Sequence, residues 1–368
     1  MKVLEQLCQA LLDPSSVRDF QLADWDRVLR VADTGLLTAS LAERLEAAKL
    51  LGNVPMPVQA RLQAAQIQCQ ANRRAVAWEV SRLERALKPL DVPIVLLKGS
   101  AYALADLPAG RGRLFGDIDI LVPRSRLDEV EACLYWHGWI GSHHDAYDER
   151  YYREWMHELP ALMHQKRQSV LDIHHTILPP TARFHPDPAK LHGQAVPVPG
   201  QDYVRMLAPH DMVLHSACHL FHESEWDKGL RDLYDLDQLL RHFATQADFY
   251  PVLLDRAREQ QLQRPLFYAL RYCQWLWQTP MPQALIEQSL REAAPPRLLL
   301  PLMDALFLRS IRPIHPLVQD WQDGWARFCL YVRGHWLRMP MHLLIPHLLR
   351  KAIKPYLSDK APAGNRPG

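Results

Sequence analysis

The sequence is short of the features that place a protein in a class at a glance. It carries no surplus of charge: 43 Lys and Arg stand against 41 Asp and Glu, a formal net charge of +2, so no global field draws it toward nucleic acid. It has no C-x-x-C pair. Its six cysteines (Cys8, Cys69, Cys133, Cys218, Cys273, Cys329) are scattered, which points away from a zinc ribbon or a disulfide framework and toward reduced thiols in a cytoplasmic protein. No window reaches the roughly eighteen uninterrupted apolar residues of a membrane span. The N-terminal stretch MKVLEQLCQALLDPSSVRDF does not read as a signal peptide, because Glu5 and Gln6 break the apolar run and no small-residue cleavage site follows. There is neither an internal repeat nor a long low-complexity tract. Function must therefore be sought in local constellations.

What is present is ordinary in bulk. The chain has 368 residues, 48% of them hydrophobic and 23% charged, as in a globular protein of two or three domains. Residues 1–90 read as a helical segment. Arg61 to Leu90 is long and periodic, and Ile67, Ala71, Ala75, Trp78, Leu83 and Leu87 fall near one stripe. The texture changes at Pro93. PIVLLKGS is a short strand ending at a turn, and DIDILVP is a second strand. RLDEVEACLYWHG is a helix with Ser125 as its cap and Gly138 as its end. ELPALMHQ, KRQS and VLDIHHTI form a hairpin. Six prolines between His175 and Gly200 mark an irregular connection with room for one edge strand. Residues 91–205 thus make a small α/β core, 206–356 a C-terminal helical domain, and 357–368 a disordered tail. The fold class expected is α+β, a small mixed sheet between helical segments.

The informative stretch is LFGDIDILVP. On a strand, Asp117, Asp119 and Leu121 share one face while Ile118, Ile120 and Val122 share the other. Two carboxylates roughly 6.6 Å apart along the backbone repel by about 2–3 kcal/mol at an effective dielectric near 20. A divalent cation turns that cost into attraction. Hard Mg²⁺ takes carboxylate and phosphate oxygens, and a pair of such ions aligns in-line displacement at phosphorus. VLDIHH supplies a third acid, Asp172, with His174 on the same face; an antiparallel neighbour would bring Asp172 beside Asp117 and Asp119. Upstream, Gly99 and Ser100 sit at a strand-to-helix turn where backbone N–H groups can hold phosphate. There Gly99 can also be a plain turn and Ser100 an N-cap. Lys98 and Arg113 lie close enough in sequence to neutralise phosphate charge.

LKGSAYAL, R-L-F-GDIDILV and LDIHH together resemble the DNA polymerase β-like nucleotidyltransferase superfamily. Within it, the chain looks most similar to the uncharacterised nucleotidyltransferase family found in bacterial biosynthetic gene clusters. The likeness is good over about 93–245 and loose on the flanks. It implies that Gly99 and Ser100 hold a triphosphate, with Arg113 on the phosphates. It implies that Asp117, Asp119 and Asp172 bind Mg²⁺ or Mn²⁺, with Asp172 also taking a proton from the acceptor. An NMP would pass from an NTP, with ATP expected, to an unidentified small-molecule, peptide or protein acceptor, and pyrophosphate would leave. Two departures stand out: sixteen residues separate Ser100 from Asp117, and His175 stands where the family often has tryptophan. A nucleotide sensor or partner-binding protein on the same fold, and a phosphotransferase using the γ-phosphate, are the competing readings.

Three further features compete for a role. Asp211, His215 and His219 are spaced i, i+4, i+8 and share a helix face. That face lines a substrate cleft, as the resemblance suggests, or is structural. H-x-x-x-H can bind zinc, yet H-E-x-x-H is absent. His143 and His144 read as solvated loop residues. The C-terminal stretch WARFCLYVRGHWLRMPMHLLIPHLLRKAIKP is basic and rich in Trp and Leu, which suits a weak peripheral membrane contact. Pro340 and Pro346 break it, however, and many of its apolar residues are expected in the core. A nucleic-acid partner is disfavoured, since no basic and aromatic stripe stands out.

Overall fold

The structure, a computed structural model, describes residues 2–141, 146–222 and 226–345, with the side chains of 146–150 left aside. His143, His144 and the expected C-terminal tail lie outside the described residues.

Four helices come first: α1 (Lys2–Leu12), α2 (Leu22–Thr34), α3 (Thr38–Ala47) and the long α4 (Met56–Leu87). The middle of the chain alternates β1 (Ile94–Leu96), α5 (Lys98–Leu104), β2 (Asp117–Leu121), α6 (Leu127–Trp136), β3 (Trp139–Gly141) and α7 (Ala146–Trp155). It continues through β4 (Leu162–His164), β5 (Val170–His174), α8 (Pro188–Gln194), β6 (Val196–Pro197) and β7 (Val204–Met206). Helices complete it: α9 (Pro209–His222), α10 (Gly229–Phe243), α11 (Phe249–Glu259), α12 (Gln263–Trp277), α13 (Gln283–Ala293), α14 (Leu300–Ser310) and α15 (Trp321–Arg338). The α+β class expected from the sequence is the class observed. One apolar core joins these parts, from Leu7 in α1 to Leu330 in α15.

The sheet has seven strands in the order β3-β4-β5-β2-β1-β7-β6. The β4–β5 hairpin forms as expected, with Leu162 opposite Leu171. The pairing of β2 with β5 differs from expectation: it is parallel, not antiparallel. The chain leaves the end of β2 and returns through α6, so β3 runs in the direction of β2; β4 runs back, and the β4–β5 turn sets β5 alongside β2 in the same direction. The consequence for the acids is unchanged, because partners in a parallel ladder still point to one face. Asp119 is in register with Asp172, and Asp117 with Val170.

β7, after the proline-rich connection, lies inside the sheet, parallel to β1, while the one edge strand expected within the connection forms as β6. Proline allows this because Pro197 falls in the edge strand, where a missing donor costs nothing. Two local expectations need correction. The stripe of α4 is rotated. Ile67 and Trp78 stay exposed, whereas Leu62, Gln66, Cys69, Val76, Val80, Leu83 and Leu87 are buried. Gln66 fits that line because its amide donates to Glu43 Oε1 at 3.2 Å, so polarity hid a core position. Finally, Arg126 rather than Ser125 occupies the N-cap position of α6 and gives no side-chain cap bond. Gly138 does follow the helix, in the left-handed conformation (φ +86°) that glycine adopts without a Cβ penalty.

The C-terminal stretch departs from expectation as well. Trp321, Trp325, Phe328, Val332 and Trp336 remain exposed on α15, while Ala326, Leu330 and Leu337 turn inward. Spacing alone marks both faces of this helix as apolar; contact with α14 decides which one is buried. No helix among the described residues is long and apolar enough to cross a membrane.

Candidate functional site

β2 explains the paired acids. Ile118 and Ile120 enter the apolar core, at 3% and 0% exposure. On the other face Asp117 is exposed at the strand start, whereas Asp119 is buried. The segment leading into the strand is held by α4. Asn72 Nδ2 donates to the Phe115 carbonyl at 3.0 Å, and the Phe115 N–H donates to Asn72 Oδ1 at 2.8 Å. Cys69 Sγ donates to the Arg113 carbonyl at 2.9 Å. This reciprocal amide clamp fixes the approach to Asp117. It was invisible in sequence because Asn72 lies 43 residues upstream of Phe115.

Asp119 is the hub. Lys98 Nζ donates to its Oδ1 at 3.1 Å, and His174 Nε2 lies 3.1 Å from the same oxygen. Burial alone would raise this carboxyl, but Lys98 and then His174 outweigh it and hold it well below the usual carboxylate range. Lys98 reaches it from the first turn of α5 with a left-handed backbone (φ +44°), a conformation that a non-glycine residue pays for in strain. Asp172, beside it on β5, is in the opposite condition. Burial first, then the negative charges of Asp119 and Glu158, push its carboxyl up to about 7; His174 pulls the other way, and Asp117 adds a smaller push.

His174 links this face to a second group. Its Nδ1 lies 3.4 Å from Glu158 Oε2, so the ring spans two carboxylates. Burial would lower it, yet the bond to Asp119 and the charge of Glu158 leave it raised. His157 and His215 are both buried, and burial carries each imidazole well below its ordinary value. His215 belongs to this site: Lys98, His219 and His174 add to its depression and Asp119 opposes it. Asp211, one turn earlier on α9, does not belong. It pairs with Arg256 of α11 at 2.7 and 2.8 Å, a structural tie that splits the i, i+4, i+8 series.

The turn after β1 is tighter than a bare loop. Gly99 is buried, and a Cβ there would stand 2.6 Å from Phe115 Cδ1 and 3.1 Å from Arg113 Nε. Glycine is therefore required by the close approach of the Arg113–Phe115 segment. Ser100 is 1% exposed and donates to the Leu97 carbonyl at 3.0 Å. Leu97, not Ser100, occupies the cap position of α5. Arg113 pairs with Asp235 of α10, and its guanidinium lies over Tyr102 and Phe115 at 5.4 and 5.7 Å. Burial and the neighbouring Arg231 lower it to about 10. Its Nε is buried without a hydrogen-bond partner. Asp235 and Arg231 escaped sequence reasoning, since a helix 122 residues downstream of Arg113 gives no local signal.

The donor set suits a hard divalent cation: three carboxylates on one face of paired strands, one exposed and one whose charge its neighbours suppress. Among the described residues, however, the metal-ligating side chains gathered within 4.8 Å of one another are His157, Glu158 and His174. The three aspartates are set wider than that.

Comparison with family models gives one match, to the family described as an uncharacterised nucleotidyltransferase, over residues 21–278. Neither the curated proteins nor the solved structures give a match.

Proposed function

The chain belongs to that uncharacterised nucleotidyltransferase family, and on that premise we propose that it transfers an NMP from an NTP, with ATP the first candidate, to a hydroxyl-bearing acceptor and releases pyrophosphate. The observation that carries this reading is the register of Asp119 against Asp172, with Asp117 on the same face and Lys98 at the turn beside them.

Asp117, Asp119 and Asp172 would hold Mg²⁺ or Mn²⁺, through oxygens of the kind these ions prefer. A bound divalent cation supplies charge neutralisation and alignment of the phosphates. The chain's own residues do the rest. Gly99 lets the Arg113–Phe115 segment pack against the turn, which sets Arg113 beside it. Lys98 and Arg113 bring positive charge to the same place, and the unpartnered Arg113 Nε offers a donor. Asp172, whose proton affinity its acidic neighbours raise, is suited to receive the proton from the acceptor hydroxyl. Catalysis on this account is positioning and electrostatic stabilisation. His215 stands near Asp119 and Lys98, and the His215 and His219 side of α9 would shape the acceptor cleft.

The test is an acceptor screen with NTP labelled at the α- or the γ-phosphate. The expected product carries the α label and falls roughly a thousandfold in Asp119→Asn. A product carrying the γ label would make the protein a phosphotransferase and overturn the proposal.

A further inference from the structure

We propose that His157, Glu158 and His174 form a binding site for a transition-metal cation of zinc's class, separate from the three aspartates and independent of nucleotide. The backbone brings the set together. His157 and Glu158 lie in the segment before β4, and this segment runs antiparallel to the end of β5. Leu159 N–H donates to the Ile173 carbonyl at 2.9 Å, His175 N–H donates to the His157 carbonyl at 2.9 Å, and Glu158 bridges His174. The pairing sets Glu158 beside His174, and the His157 ring packs against that of His174, 5.3 Å away.

The distances suit coordination. Glu158 Oε2 lies 3.4 Å from His174 Nδ1 and 3.8 Å from His157 Nε2. Donor atoms bound tetrahedrally at about 2.0–2.2 Å stand roughly 3.3–3.6 Å from one another. One edge already matches, and a shift of a few tenths of an ångström closes the second. The His157 and His174 rings sit 5.3 Å apart, tilted by 37°. His174 is 1% exposed, and its Nδ1 is buried with no hydrogen-bond partner although it faces Glu158. A buried ring nitrogen aimed at a carboxylate without a hydrogen bond is a group in want of a ligand.

Chemistry names the ligand class. Two imidazole nitrogens and one carboxylate oxygen suit zinc and its neighbours and are poor donors for Mg²⁺. Two histidines with one glutamate leave a fourth position open in a tetrahedral site. An outer partner is also in place: His174 Nε2 lies 3.1 Å from Asp119 Oδ1. A carboxylate on the far nitrogen fixes the tautomer and turns the near one toward a metal. His174 thereby joins this site to the acid-lined face.

The test uses the full chain, stripped of metal by chelator and kept free of nucleotide. Cobalt(II) serves as the spectroscopic probe, and zinc affinity is read by competition with a coloured chelator. The expected result is one equivalent bound by the wild type, with visible absorption of tetrahedral or five-coordinate cobalt. The Asp117→Asn/Asp172→Asn variant should bind equally well. His157→Ala and Glu158→Gln should each weaken zinc by tenfold or more, with circular dichroism confirming that they fold. If His157→Ala does not fold, His157→Gln and Glu158→Gln carry the test. Wild type that binds no equivalent would overturn the proposal. So would folded His157 and Glu158 variants with unchanged affinity, or binding lost only with the aspartates.

Discussion

Strands β2 and β5 lie side by side, and each presents an aspartate to the same face in register. The two carboxylates nevertheless live in opposite conditions. Asp119 is buried against Lys98 and His174, so its charge is held. Asp172 faces burial and three other acids, and its carboxyl is driven up to about 7. The residue type, the sheet and the face are common to both; the neighbours differ. One aspartate ties the turn after β1 to β5. The other carries a charge that the fold alone does not stabilise and that a bound cation would.

Substitutions can break this contrast in order of expected size. Asp119→Ala removes the acceptor from Lys98 and His174. Breaking a buried pair by removing one partner costs about 3–5 kcal/mol, and urea unfolding should show a loss of that order. On the proposed mechanism, activity in Asp119→Asn should fall by roughly a thousandfold, as for removal of a strong electrostatic group.

Asp172→Asn should move stability the other way. The folded state keeps this proton at pH values where the unfolded chain has lost it. Stability from this group is therefore lost as pH rises from about 4 through about 7. The variant should gain on the order of 2 kcal/mol over wild type at pH 8, and little at pH 4, in melts at a series of pH values. Mg²⁺ should raise the wild-type melting temperature more at pH 8 than at pH 5, and less in Asp172→Asn at either. Asp117→Asn is the smallest structural perturbation. Its side chain is exposed, so stability should stay within about 0.5 kcal/mol while transfer is lost.

Much of this was legible in the sequence where the signal is local. The period-2 alternation in GDIDILV placed two acids on one face, and LKGS marked the turn whose lysine reaches one of them. The hairpin that presents Asp172 followed from KRQS between two apolar runs. The parallel pairing of β2 and β5 was not legible, since strand direction depends on the route of the intervening chain. The true stripe of α4 was missed because Gln66 is a polar core residue and Trp78 an apolar surface one, the latter covered by Arg82 at 4.6 Å. Asn72, Asp235 and His157 reach the site only through tertiary contact, and no spacing rule connects them to Asp119. The buried face of α15 was open for the same reason.

The central claim is that the acid-bearing face of β2 and β5 binds a nucleotide through a divalent cation. Its most direct test is equilibrium binding of ATP with and without Mg²⁺ to wild type and to Asp117→Asn, which should preserve the fold. The account predicts Mg²⁺-dependent binding by the wild type that is lost in the variant. Equal binding by both proteins, or binding indifferent to the cation, would contradict it.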